Sequence, residues 1–171
     1  MSVDSSKPPL LPVIIGTGFG AGFWPWGPGT AGAVLATVIW LLLHSVCTFF
    51  VLEATTVVLI LSFTFLGTWA TQRLMPFWGD DPGRVVVDEM VGVWVALLPA
   101  ADWHAAQLSS GDWWIALAAL LLFRFFDIVK PLGIRALDRR RGAFWVMADD
   151  LLAGLYAAML VLLLHTVKDY M

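Results

Sequence analysis

Five carboxylates, in three stretches far apart in the sequence, are the residues best suited to chemistry: Asp88 with Glu89, Asp127, and Asp149 with Asp150. Each stretch adjoins a long apolar run, and an ionised group at the centre of a membrane helix costs roughly 2.5–3.5 kcal/mol on insertion scales. Carboxylates collected there would also repel one another unless a cation lay between them. Hard divalent ions prefer oxygen ligands, and Mg²⁺ combines carboxylates with water and phosphate oxygens. We therefore expect the fold to gather these carboxylates around Mg²⁺.

Two cations accompany the acidic residues. Arg124, Asp127 and Lys130 follow one another at intervals that place them on one face of a helix. An arginine can clamp two phosphate oxygens as a planar fork, whereas a lysine acts as a point charge. The pattern favours an anionic substrate beside the metal. The alternative is a structural network of salt bridges that ties helices together.

A glycine-rich stretch, residues 16–32, is the third candidate for substrate contact and contains Gly29 and Thr30. Glycine lets backbone amides approach a ligand closely, and a helix N-terminus favours anions. Thr30 is predicted to be the N-cap of the helix that follows. We therefore consider two roles for the stretch: a phosphate-binding turn, or a re-entrant or interfacial segment that only allows tight packing. Trp24 and Trp26 suit the headgroup level of a bilayer.

Membrane helices must position these candidates. The chain of 171 residues is 60% hydrophobic and 13% charged, with a mean hydropathy of +0.82, which is far from the composition of a soluble domain. We predict an all-α, polytopic integral membrane helical bundle of about five membrane-embedded helices, with a turn at Glu53. The predicted helices are residues 31–52, 55–70, 85–101, 113–129 and 149–166. We expect an N-terminal tail at residues 1–15, one membrane-embedded domain at residues 16–166 and a C-terminal tail at residues 167–171.

The basic residues indicate the orientation. On this layout every lysine and arginine except Lys168 lies on or near one side of the membrane. Such an asymmetry is typical of the cytoplasmic side. We therefore expect the N-terminus, the glycine-rich stretch and the candidate carboxylates at the cytoplasmic face.

Four motifs in this order resemble the bacterial phosphatidylglycerophosphatase A family across nearly the whole chain. They are Gly18-Phe19-Gly20-Ala21-Gly22 with Gly27-Pro28-Gly29-Thr30, Val87-Asp88-Glu89 with Gly92, Arg124-Phe125-Phe126-Asp127 with Lys130-Pro131, and Asp149-Asp150 with Gly154. The resemblance implies an all-helical enzyme of the bacterial inner membrane that uses Mg²⁺ to remove the terminal phosphate of phosphatidylglycerol phosphate. The partners it implies are this phospholipid substrate and the lipid bilayer, with no nucleic acid, and it leaves the oligomeric state open.

The resemblance also implies roles for individual residues. Metal ligands are expected among Asp88, Glu89, Asp127, Asp149 and Asp150. Catalytic roles are expected for Asp88 and Asp150. The substrate phosphate is expected to contact Arg124, Lys130, Gly29 and Thr30. Which carboxylate acts as nucleophile, base or ligand stays open.

Two other functions use the same residues. A phosphatidyl transferase could share the metal site, although the sequence lacks a motif for a second substrate. A transporter could use the buried carboxylates, but transporters bind their ions near the bilayer midplane. The candidate carboxylates are instead expected at one face of the membrane, which favours the phosphatase.

Overall fold

The computed structural model describes residues 7–101, 113–131 and 133–169, and within these ranges it contains helices and no β-strand. The α-helices are α1 (Leu10–Gly16), α2 (Pro28–Val46), α3 (Phe49–Trp78), α4 (Val87–Leu97), α5 (Trp113–Val129), α6 (Ile134–Asp138) and α7 (Ala143–Asp169). Short 3-10 turns at Ala21–Phe23 and Leu98–Ala100 precede α2 and follow α4. The predicted all-α fold is confirmed.

Among the described residues, three helical segments are long and apolar enough to cross a membrane: Pro28–Val46, Phe49–Trp78 and Ala143–Leu164. Large apolar side chains on their outward faces are not covered by protein, among them Leu42, Phe65 and Leu162. Uncovered apolar surface of this extent suits lipid rather than water. The number of spans, predicted to be about five, stays a prediction, because α4 and α5 are shorter than these three segments.

Helix α4 lies at the centre of the bundle and packs against α2, α3, α5 and α7. Most of its side chains are buried, including Met90, Val93 and Trp94. The Trp94 Nε1 donates to the carbonyl oxygen of Ala36 in α2 at 3.0 Å, which satisfies its polar atom inside the core. Its 11 residues rise only about 16 Å, roughly half the thickness of a bilayer core. Helix α4 is therefore an internal scaffold helix surrounded by other helices.

Two glycines allow α4 and α7 to cross in close contact. A β-carbon at Gly154 would overlap the main chain of Gly92, and a β-carbon at Gly92 would meet the Phe123 ring and the carbonyl oxygen of Asp150. Each glycine follows an acidic residue by one helical turn: Asp88 precedes Gly92 in α4, and Asp150 precedes Gly154 in α7. The close crossing therefore brings these two carboxylates together.

The glycine-rich stretch folds against α3 and against the connection that leads into α4. A β-carbon at Gly16 would overlap Leu74 of α3, and the amide of Val86 donates to the carbonyl oxygen of Gly16 at 2.8 Å. β-Carbons at Gly22 and Gly32 would overlap Arg84 and Val86. Of the two roles considered for this stretch, tight packing therefore accounts for Gly22 and Gly32.

The predicted turn at Glu53 is wrong. The chain turns instead at Cys47 and Thr48, whose backbones are extended. Glu53 lies in the second turn of α3 with an exposed side chain, and a charged residue this close to the end of a membrane helix can reach the membrane surface, where its cost is small. Helix α3 also continues past the predicted end at residue 70, through Pro76 to Trp78.

The starts of other helices also differ from the sequence analysis. Helix α7 begins at Ala143, directly after Gly142 with its φ of +116°, so Asp149 and Asp150 lie in its second turn and not at its N-terminus. Helix α2 begins at Pro28 with Gly27 as its N-cap, so the prediction of Thr30 as N-cap is wrong. Proline is favoured at the first helical position because its φ is already helical. Helix α1 lies mostly within the stretch expected to be the N-terminal tail.

Candidate active site

A polar cavity of ≈ 370 Å³ opens at the end of the bundle where α2, α4 and α7 begin and where α5 ends. Charged side chains dominate its wall. The acidic ones are Asp80, Asp81, Asp88, Glu89, Asp127, Asp138, Asp149 and Asp150, and the basic ones are Arg124, Lys130, Arg139, Arg140 and Arg141. Gly29 and Thr30 line the same cavity, so every candidate site residue of the sequence analysis faces one space.

Asp88, Glu89 and Asp150 form a compact group of carboxylates, the acidic cluster. One oxygen from each lies within 4.8 Å of the others. Asp88 and Asp150 are 8% and 4% exposed, and Glu89 Oε2 is buried with no hydrogen-bond partner among the described residues. Buried acids at this spacing repel one another, and a buried polar atom without a partner costs about 1–3 kcal/mol. A hard cation would offset both costs, so this donor set fits Mg²⁺.

Helices α4 and α7, which cross in close contact, bring the three carboxylates of the acidic cluster together. Asp88 and Glu89 occupy the first turn of α4, where the helix dipole favours negative charge. The Glu89 amide also donates to Asp88 Oδ1 at 3.0 Å, which fixes that carboxylate. Asp150 reaches the cluster from α7 because Gly92 and Gly154 let the two helices touch. The first turn of α4 and the glycine crossing thus determine the geometry.

Arg124 lies beside the acidic cluster, near the end of α5. Its Nη1 donates to Asp127 Oδ2 at 2.6 Å, one helical turn further on, as the sequence spacing predicted. Its Nε is buried and finds no acceptor in the part of the chain that the structure describes. A β-carbon at Gly29 would lie 3.3 Å from Arg124 Nη1 and would overlap the Glu89 carboxylate. The first turn of α2 can therefore close over both side chains only because residue 29 is a glycine.

Lys130 follows α5 directly and has a left-handed backbone, with a φ of +49°. Its Nζ donates to Asp149 Oδ2 at 2.7 Å and also to Asp138 Oδ1. Partial burial alone would lower the pKa of Lys130, but the hydrogen bonds and charges of Asp138 and Asp149 outweigh it and raise the pKa above its usual value. Lys130 therefore stays charged at neutral pH and links the ends of α5 and α6 to α7.

The structure divides the five predicted metal ligands into two sets. Asp88, Glu89 and Asp150 meet in the acidic cluster. Asp127 and Asp149 line the same cavity, but each is ion-paired with the neighbouring arginine or lysine. Adjacent residues on a helix point about 100° apart, which explains why Asp149 and Asp150 take different partners.

Sequence reasoning missed two parts of the cavity wall, residues 80–83 and residues 138–145. Asp138 binds Lys130, and three arginines and Trp145 follow. In the sequence these three arginines indicate only the orientation in the membrane. Their position in the sequence could have predicted their place in the cavity wall, because a short connection between two helices that carry site residues must pass close to the site.

An all-helical bundle of membrane type, with buried carboxylates beside an arginine in one polar cavity, offers the groups that a metal-dependent membrane enzyme acting on phosphate esters would use. The family model described as Phosphatidylglycerophosphatase A matches residues 14–165. The chain belongs to this family, as its motifs predicted, and it is therefore a phosphatase, a hydrolase. The transporter and transferase alternatives are set aside on this ground.

Three curated relatives extend the comparison. A Bacteroides thetaiotaomicron protein with the provisional name phosphatidylinositol-3-phosphatase is 51% identical over 155 residues, which cover 91% of this chain and 94% of that protein. The phosphatidylglycerophosphatase A proteins of Haemophilus influenzae and Escherichia coli are 36% and 33% identical, over 86% and 85% of this chain and 85% and 78% of theirs. No solved structure matches the chain.

Proposed function

We propose that this enzyme uses Mg²⁺ to hydrolyse phosphatidylglycerol phosphate to phosphatidylglycerol and inorganic phosphate. One observation carries the proposal: Glu89 Oε2 and Arg124 Nε are both buried in the cavity wall without a partner among the described residues. The first atom calls for a cation or a hydrogen-bond donor and the second for an acceptor, and a phosphate bound together with a metal ion would supply both. Family membership and the names of two relatives support the choice of lipid.

The acidic cluster of Asp88, Glu89 and Asp150 is the proposed holder of the ion. Bound there, Mg²⁺ would supply positive charge to the phosphate oxygens, on which negative charge builds up during phosphoryl transfer. Asp127 and Asp149 have a different proposed role, because each already pairs with a cation. They hold Arg124 and Lys130 in place.

The substrate phosphate has three proposed contacts. Arg124, oriented by Asp127, offers its free Nε. The amides of Gly29 and Thr30 lie in the first turn of α2, where amides have no acceptor inside the helix and the dipole favours an anion. Lys130 adds positive charge from the cavity wall. Together these groups orient the phosphorus atom towards the acidic cluster.

Hydrolysis forms a bond between a water oxygen and phosphorus and breaks the bond from phosphorus to the glycerol oxygen, which leaves with a proton. Asp88 and Asp150 are the proposed catalytic carboxylates, and two routes fit them. One carboxylate accepts a proton from the attacking water, or it attacks phosphorus itself and is released by water afterwards. Acid quenching during turnover of substrate with a labelled terminal phosphate separates the routes, since only the second leaves label on the protein.

The direct test uses purified protein in neutral detergent micelles with phosphatidylglycerol phosphate. Phosphate should be released with Mg²⁺ present, should stop in EDTA and should return when Mg²⁺ is restored. No release with Mg²⁺, or undiminished release in EDTA, would contradict the proposal.

Phosphatidylinositol 3-phosphate is the second candidate substrate. The Bacteroides relative, which is 51% identical to this chain, carries a name for that activity. Both lipids present a terminal phosphate monoester and are joined to diacylglycerol through a phosphodiester, so the same site chemistry serves either one. Measuring kcat/KM for both lipids on one preparation decides between them, and a ratio of at least about tenfold, or 1.4 kcal/mol, identifies the preferred headgroup.

We further propose that the cavity faces the cytoplasm at a bacterial inner membrane. Five basic residues line it, and short cytoplasmic segments are enriched in lysine and arginine. In a Cys47→Ala background, a cysteine placed at Arg140 should react with a membrane-impermeant thiol reagent only from the cytoplasmic side. Labelling from the periplasmic side would reverse the proposed orientation.

A further inference from the structure

Three consecutive arginines, residues 139–141, line the cavity between the end of α6 and the start of α7. The proposed chemistry leaves them without a role. Arg141 pairs with exposed Asp80 across the cavity at 3.6 Å. Arg139 and Arg140 form no ion pair within the described ranges. Two positive charges thus remain available at the rim of the cavity.

The rim is ordered in a way that presents Arg140 to the cavity. Its guanidinium carbon lies 4.3 Å from the centre of the Trp145 ring, a cation–π contact that restricts the side chain. The amide of Arg140 donates to the carbonyl oxygen of Leu137 at 2.8 Å. Gly142 then turns the chain into α7 with a φ of +116°. A side chain held in this way loses little freedom on binding a ligand.

The distance from the rim to the acidic cluster follows from the helix geometry. Trp145, Asp149 and Asp150 all line the cavity from α7. Residues four and five positions apart on a helix are separated by about 6–7.5 Å along its axis. Position 145, whose ring Arg140 stacks on, is therefore offset along α7 from the positions of the two carboxylates by roughly the size of a small headgroup.

We propose that Arg139 and Arg140 bind the phosphodiester that joins the substrate headgroup to diacylglycerol. This inference rests on the proposed function and assigns the second phosphate of the same lipid. A headgroup with a terminal monoester carries two anionic groups, separated by one glycerol or by one inositol ring. The acidic cluster and Arg124 take the terminal group, and the rim arginines take the diester. The same assignment serves both candidate substrates, because both contain this diester.

The two halves of the substrate can be tested separately as inhibitors of the wild-type reaction in neutral detergent micelles. Phosphatidylglycerol contains the diester without the terminal phosphate, and inorganic phosphate resembles the terminal group alone. In Arg140→Gln the inhibition constant of phosphatidylglycerol should rise about tenfold, the scale of one lost charge-assisted hydrogen bond. The inhibition constant of inorganic phosphate should stay within about twofold of wild type. If phosphatidylinositol 3-phosphate is the substrate, phosphatidylinositol replaces phosphatidylglycerol.

Arg73→Gln is the matched control. Arg73 also stacks on a tryptophan, Trp69 at 5.9 Å, and is exposed, but it does not line the cavity. Its substitution removes the same charge and should change neither inhibition constant. Arg140→Lys keeps the charge and should recover part of the lost affinity, which a purely structural role for the stacked arginine would not predict.

Three results would overturn the inference. They are no inhibition of the wild type by phosphatidylglycerol, an equal effect of Arg140→Gln on both inhibitors, and an effect that appears only with vesicles of anionic lipid. The last result would assign the rim to the bilayer surface rather than to the substrate. Failure of the proposed function is distinct, since then the wild type itself would release no phosphate from either lipid.

Discussion

The crossing of α4 and α7 at two glycines yields the sharpest prediction. In Gly154→Ala, the new methyl group would overlap the carbonyl oxygen of Gly92 and lie 3.0 Å from its carbonyl carbon. These are main-chain atoms, which cannot rotate away as a flexible side chain would. The two helices must therefore separate at this point, one turn from Asp88 and Asp150.

The expected cost falls more on the site than on stability. Replacing glycine by alanine inside a helix gains about 1 kcal/mol of helix propensity, while overpacking costs about 1–3 kcal/mol. The net loss of unfolding free energy is therefore about 0–2 kcal/mol. Relief of the overlap requires a displacement on the order of 1 Å, and a misplacement of that size costs about 100-fold when it reaches a reacting geometry. Metal affinity should fall at least tenfold.

The assay measures binding of Mn²⁺, as a spectroscopic substitute for Mg²⁺, together with the melting temperature in the same detergent. Leu52→Ala is the control for stability. Leu52 is 1% exposed and lies near the start of α3, at the end of that helix away from the cavity. Its truncation should lower the free energy of unfolding by about 2–5 kcal/mol. Gly154→Ala should bind Mn²⁺ weakly while melting near the wild type, and Leu52→Ala should do the opposite. Wild-type Mn²⁺ affinity in Gly154→Ala would refute the role of the crossing.

Three further predictions address single side chains. Arg124→Lys keeps the charge but loses the planar fork, so kcat/KM should fall by an amount that corresponds to a rise of roughly 2–3 kcal/mol in the activation barrier, while the melting temperature stays unchanged. A lower melting temperature with a normal kcat/KM would support the salt-bridge alternative. Mg²⁺ at 100 times its Kd should stabilise the wild type by about 2.7 kcal/mol, and Glu89→Gln should lose most of this shift in a thermal melt. Lys130→Met leaves Asp149 buried without its cation and should lower the free energy of unfolding by about 1–2 kcal/mol. This is the cost of breaking a buried ion pair, reduced because Lys130 is partly exposed. Because the pKa of Lys130 is raised, its contribution to the free energy of unfolding is complete below about pH 10 and is lost only above it. Denaturation at about pH 7 and at about pH 9 should therefore give the same difference in unfolding free energy between the wild type and Lys130→Met. A difference that shrinks in this range would contradict the ion pair.

The site could be predicted from the sequence because the costs of burying charge are local. Carboxylates at the ends of apolar runs need a shared partner, and this reasoning gathers all five candidate carboxylates in one place; the structure selects Asp88, Glu89 and Asp150 from them as the acidic cluster. The spacing of Arg124 and Asp127 likewise fixes a contact within one helix. The first inference depends on the cost of burying an unpaired charge and the second on the spacing within one helix, and neither requires knowing which helices touch.

The predictions that were wrong depended on tertiary packing. A run of apolar residues shows that a helix exists, but the residue at which it ends depends on its neighbours, as Glu53 inside α3 and the early start of α7 show. The contact between Gly92 and Gly154 requires knowing which helices touch, and neither glycine identifies its partner in the sequence. The partition of Asp149 and Asp150 between Lys130 and the acidic cluster has the same origin.

The most direct test of the account combines metal binding with turnover in Asp150→Asn, which changes one oxygen donor and almost no volume. Glu53→Gln, an exposed carboxylate of α3 outside the cavity, is the matched control. Asp150→Asn should lose Mn²⁺ binding and at least about 100-fold in phosphate release from phosphatidylglycerol phosphate per folded molecule, equivalent to about 2.7 kcal/mol in barrier, while Glu53→Gln keeps both. Retention of wild-type Mn²⁺ binding and turnover by Asp150→Asn would contradict the claim that the acidic cluster is the catalytic metal site.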